Sequence, residues 1–195
     1  MAMDMLFSGN VEKMEELEDN EEILNFLNTN ITEYLVKINA LELEDNDRQL
    51  VGSLFHVVND FERVGDHAEN IAEQAQQMQA TKTTFSEQAL KELHEMQDKV
   101  IQVLDDSCRL FQERKMDFEL AFRINSTEDS IDNLARSCKE NHVSRLNQSL
   151  CTAQGGAIYN DLITNLERIA DHSTNIAFAL WQKKESIYAA SAVSS

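Results

Sequence analysis

Apolar residues recur along most of this chain at intervals of three and four, the spacing that lines one face of an α-helix. Leu24, Leu27, Ile31, Leu35 and Ile38 form the first such stripe. With Asn10 as an N-cap, they predict a helix over about 10–39. The segment LELEDND interrupts it, and Asp45 or Asp47 is positioned to cap the next helix. That second helix carries Leu50, Leu54, Val57, Val58, Phe61, Val64, Ala68, Ile71, Ala72 and Ala75, and runs to about residue 80, where polar TKTT begins. A third opens at Ser86 and carries Leu90, Leu93, Val100, Val103, Leu104 and Phe111 to about residue 115. Asp117 caps a fourth, with Ala121, Ile124, Ile131, Leu134, Cys138 and Leu146 facing inward. After the break CTAQGG a fifth helix covers about 152–184, and the small polar tail 187–195 is expected to fray.

Helices of about 30 residues reach roughly 45 Å. Several of that length joined by short loops pack antiparallel as a bundle. The chain has no proline and five glycines, as long uninterrupted helices require, since a proline inside a helix costs about 3 kcal/mol. Strand-type alternation is nowhere sustained. The fold class read from the pattern is all-α, a single domain over 1–195 with about five long helices.

Charge narrows the function. Lys plus Arg total 17 against 35 Asp plus Glu, a formal net charge of −18. Such a surface repels nucleic acid, whose affinity rests on neutralising phosphates, and equally an anionic membrane surface. Cations and basic protein surfaces are its complement. Three cysteines, Cys108, Cys138 and Cys151, have no CxxC spacing and form no disulfide framework. No apolar run approaches the ~18–20 residues of a membrane span, and the N-terminus lacks the pattern of a signal peptide. A cytoplasmic setting follows as the expectation.

The chemistry sits in a repeat. FERVGDHAENIA (residues 61–72) and LERIADHSTNIA (residues 166–177) share Glu, Arg, Asp, His, Asn, Ile and Ala at matched places. Their separation is 105 residues (167 − 62, and again 171 − 66). The chain therefore divides into repeat 1, about 1–85, and repeat 2, about 86–186. Glu62 with Asp66, and Glu167 with Asp171, each place two carboxylates one turn apart on one helix face. Upstream, Glu21 and Asn25 stand where Glu128 and Asp132 stand in the second copy.

A lone ExxxD on a helix is ordinarily a solvated acidic face. Two observations favour a ligand set: the pair recurs with its neighbours intact, and a second acidic pair precedes it. If helices four and five face each other, Glu128, Asp132, Glu167 and Asp171 converge on a hard or intermediate cation. Glu21, Asn25, Glu62 and Asp66 make a weaker counterpart, since Asn25 is neutral. Arg63 and Arg168 are read as ion-pair partners that align the carboxylates, and Asn70 and Asn175 as supporting groups on the same stripes. His67 and His172 follow the aspartates at about 100° around the helix and are read as packing or hydrogen-bonding residues. Gly65, matched by Ala170, suggests a close helix–helix approach.

On these residues the chain resembles the PhoU family, over about 11–179. The resemblance implies two tandem three-helix bundles, here with the first helix truncated because only MAMDMLFSG precedes the matching region. It implies iron or zinc clusters on the carboxylate faces and a role in negative regulation of phosphate uptake. Carried onto this chain, the ligands are Glu62, Asp66, Glu128, Asp132, Glu167 and Asp171, then Glu21. The short start is similar to the PhoU-like cytoplasmic domain of bacterial Na+/phosphate cotransporters. The first expectation is thus a regulatory domain tethered at the inner face of the plasma membrane, itself not inserted, with a transporter in the same chain. The alternative is a stand-alone PhoU-type regulator that contacts a separate ABC phosphate transporter and a sensor kinase. A homodimer would cover the face left by a missing helix. A carboxylate-bridged metalloenzyme is the third reading. It lacks the Glu-x-x-His pairs such bundles use, so the chain is read as not an enzyme.

Overall fold

The computed structural model describes residues 1–181. Helices and their connecting loops account for all of them: α1 (Ala2–Ser8), α2 (Met14–Asn39), α3 (Asp45–Thr81), α4 (Glu87–Glu113), α5 (Phe118–Asn147) and α6 (Ala153–Phe178). The five long helices match the five apolar stripes. Residues 182–184 of the predicted fifth helix and the tail 187–195 lie outside the described residues.

Helix starts follow side-chain capping where the cap is a good one. Ser86 accepts the Ala89 N–H at 3.3 Å, Asp117 accepts those of Glu119 and Leu120 at 3.0 and 3.1 Å, and Thr152 accepts that of Gly155 at 3.0 Å. Each satisfies a donor that the first helical turn leaves open. Two predicted caps fall elsewhere. Asn10 turns its side chain onto the Glu12 N–H (2.9 Å), a local turn that postpones α2 to Met14. Glu44 occupies the cap position of α3, with Asp45 and Asp47 inside the first turn, where the helix dipole favours acids.

Two helices organise the packing. α1 and α2 pack on α3; α4 and α5 pack on α6 and on each other; α3 and α6 pack together. Ile158, Leu162, Ile163, Leu166 and Ile176 of α6 are fully buried, each contributing about 1.5–3 kcal/mol by leaving water. α3 and α6 are also the helices that carry the repeated motif. Gly65 lets α2 approach α3 closely: a Cβ there would lie 2.6 Å from Leu24 Cδ1. Its counterpart Ala170 is buried.

The outer helices bury less than their stripes predict. Leu27 and Ile31 of α2 are 44% and 41% exposed, because α2 packs principally on α3. Leu50 and Leu146, also expected inward, are exposed as well. No helix among the described residues is long and apolar enough to cross a membrane.

Candidate metal centre

Where α5 packs on α6, the i, i+4 pair Glu128 and Asp132 meets Asp171. Each offers a carboxylate oxygen, and the three oxygens lie within 4.8 Å of one another. Among the described residues no other set of three histidine, cysteine or acidic side chains gathers this closely. All three are half-buried. Burial, and then the charge of Asp132, holds the Glu128 carboxyl above the ordinary range. Burial and Asp132 do the same for Asp171, against the lowering effect of Arg168. Arg168 Nη1 reaches Asp171 at 3.5 Å, the aligning role expected of it. Three carboxylates facing one another with one exposed arginine beside them form a site short of positive charge.

Glu167 does not join them. Its carboxylate is held by Lys139 Nζ at 2.9 Å, a partner on α5 that neutralises it. The expected set of four carboxylates is therefore a set of three. Asn175 is exposed, one turn beyond Asp171.

The first copy is differently built. Asn25 donates its amide to Glu21, so the neutral residue at the acid position ties up the acid one turn away. Arg63 lies 3.7 Å from Glu62 and 3.1 Å from Asp66, bridging the pair internally. Burial and the charges of Glu21, Glu73, Asp66 and Glu18 raise the Glu69 carboxyl, marking an acidic stripe along α2 and α3. Glu21, Glu62 and Asp66 do not converge as the second set does.

Between the copies lies a seam that sequence reasoning only half resolved. His67 and His172 stack with ring centroids 5.6 Å apart where α3 crosses α6. His67 Nδ1 is 2.8 Å from Asn165 Oδ1, and His172 Nδ1 is 2.8 Å from Asp60 Oδ1. Asn70 also reaches Asn165, at 3.4 Å. Both imidazoles thus hydrogen-bond across the seam, as their angular position predicts. Asp60 and Asn165 were missed, yet they are themselves 105 residues apart, one place before the recognised segments. Extending the repeat by one residue finds them. Lys139 carries no such signal.

The geometry repeats in two halves, and so does the match to known proteins. The PhoU domain family profile matches residues 1–75 and 93–180. The chain belongs to the PhoU family. It is 33% identical over 118 residues to the phosphate-specific transport system accessory protein PhoU homolog 1 of Thermotoga maritima, covering 60% of this chain and 49% of that protein. To the phosphate-specific transport system accessory protein PhoU homolog of Clostridium acetobutylicum it is 23% identical over 158 residues, 80% of this chain and 70% of that one. The match thus spans about half the length of the Thermotoga relative. The crystal structure of PhoU from Pseudomonas aeruginosa superposes with a TM-score of 0.84 at 22% identity, over 92% of this chain and 84% of that one. That likeness carries the PhoU helical-bundle fold.

Proposed function

We propose that this PhoU-family chain regulates phosphate uptake by contacting a membrane phosphate transporter, and that Glu128, Asp132 and Asp171 hold a metal ion that fixes α5 against α6. The carrying observation is the half-buried triad of carboxylates within 4.8 Å, whose mutual repulsion a bound cation would relieve. An all-oxygen donor set fits a hard or intermediate ion, and iron and zinc are the ions the family resemblance implies. When bound, the metal supplies the positive charge that the three acids lack.

The transporter is read as a separate protein. Both curated relatives named above are accessory proteins of phosphate-specific transport systems. This favours the alternative reading over the tethered one. A regulatory rather than catalytic role is supported by the same relatives, as accessory proteins of such systems.

The test is phosphate uptake by phosphate-replete cells that lack this chain, complemented with wild type or with Asp132→Asn/Asp171→Asn. Loss of the chain should raise uptake, wild type should restore it, and the variant should restore it poorly. Uptake unaffected by loss of the chain overturns the regulatory reading.

A further inference from the structure

A cavity of about 400 Å³ opens at the end of the bundle where α3 and α5 finish and α4 and α6 begin. In a chain with 35 acidic residues, no aspartate or glutamate lines it. Lys82, His142 and Arg145 do, with the hydroxyls of Ser86 and Thr152. Those two hydroxyl residues are the N-caps of α4 and α6, so the positive ends of two helix dipoles meet the same space. Thr152 takes the Gly155 N–H. The N–H groups of Ala153 and Gln154 have no acceptor among the described residues.

The side chains in the wall give a second, independent indication. Arg145 is 8% exposed and His142 3%. Arg145 Nη1 lies 2.9 and 3.1 Å from the two Glu92 oxygens, while its Nη2 is buried without a partner, as is His142 Nε2. Glu92 also accepts from Asn141 at 2.9 Å and from Tyr159. Its acceptor capacity is taken up, so it cannot serve the second guanidinium nitrogen too. Arg145 Nη2, a buried donor that no group of the chain pairs, calls for an acceptor oxygen.

We propose that this cavity binds the phosphate group of a small solute, through Arg145, Lys82 and the first N–H groups of α6. A phosphate is rich in acceptor oxygens, can take a charge-assisted hydrogen bond from the remaining arginine Nη2, and suits a helix N-terminus. Donors arrive from three elements, the α3–α4 loop, α5 and α6. That arrangement suits three phosphate oxygens better than the two of a planar carboxylate. The volume leaves room for an organic group beyond the phosphate. Arg145 lies about 20 Å along α5 from Asp132, so the inference needs neither the metal nor the regulatory reading.

The experiment is a ¹⁵N-amide titration of the full chain with inorganic phosphate, with glycerol phosphate, and with chloride as the ionic-strength control. Saturable shifts at Thr83, Gln154 and Gly155 at millimolar phosphate or monoester are expected. The tighter of the two identifies the solute as phosphate itself or a phosphate ester. Lys82→Asn, which keeps a residue tolerant of the left-handed φ of 52 there, should weaken binding about tenfold. Glu92→Gln/Arg145→Gln, which removes both buried charges together, should abolish it; if that variant does not fold, Lys82→Asn decides alone. No saturable shift, shifts that chloride reproduces, or affinity unchanged in Lys82→Asn overturns the proposal.

Discussion

Asp132 faces two acids whose carboxyls are already raised by burial, and its charge raises them further. A carboxyl raised in the fold contributes stability that is fully present below its unfolded pKa, near ~4. That contribution is lost as pH rises through the folded value. Metal-free protein should therefore gain from Asp132→Asn at neutral pH, by under about 1 kcal/mol because the site is half-solvated. The gain should vanish as pH falls toward the ordinary carboxylate range. Thermal denaturation in chelator at several pH values checks this, and a variant that melts lower at neutral pH contradicts it. Two glycines give a second comparison. A Cβ on Gly156 would lie 2.5 Å from His142 Nε2 and 2.7 Å from its Cε1. Gly156→Ala should cost about 1–3 kcal/mol, since a buried ring cannot yield. The Cβ of Gly65→Ala meets only the mobile end of Leu24, and the helix-propensity gain of up to ~1 kcal/mol should offset that contact. Denaturant titration that ranks the two alike would show the His142 contact to be softer than described. At this scale the doubled motif was legible because identity at a fixed separation needs no structure. The pairing of Glu167 with Lys139 was not, because it depends on how α5 is rotated against α6.

Among the elements, α4, α5 and α6 are tied together by one buried node. Glu92 of α4 takes donors from Asn141 and Arg145 of α5 and Tyr159 of α6. Burial, with the bond to Glu92, pushes the Tyr159 hydroxyl far above the usual tyrosine range, so it remains a donor. Glu92→Ala should destabilise by about 3–5 kcal/mol, because it strands a buried guanidinium. Replacing both members, as in Glu92→Leu/Arg145→Met, should recover most of that loss. Chemical denaturation of the single and double variants is the check, and additive losses would contradict the pairing. At the other end of α4, exposed Arg114 holds the left-handed cap with φ 49. Arg114→Gly should stabilise by about 1 kcal/mol, read as a higher midpoint. The five long helices were legible from periodicity, whereas the seven-residue α1 was too short to show one. Starts were legible where Ser86, Asp117 and Thr152 cap. The α2 start was not, since Asn10 can satisfy a local turn as readily as a helix.

For the whole molecule, the two repeats meet along α3 and α6, where His67 and His172 stack and each takes a hydrogen-bond partner from the opposite copy. Phe7 of α1 stacks on His94 of α4 at 3.7 Å, a second tie between the copies. The bundle was readable from periodicity and loop length. What periodicity could not give was the unequal burial, because an apolar stripe does not say whether a helix has one neighbour or three. The same inequality runs through the acidic faces: the second copy gathers three carboxylates, whereas the first is tied up by Asn25 and Arg63. The most direct test is elemental analysis, with iron and zinc reloading, of wild type beside Glu128→Gln/Asp132→Asn and Glu21→Gln/Asp66→Asn. The account predicts bound metal in the wild type and in the first-copy variant, and its loss in the second-copy variant. Metal that survives Glu128→Gln/Asp132→Asn, or a wild type that takes up neither ion, would contradict it.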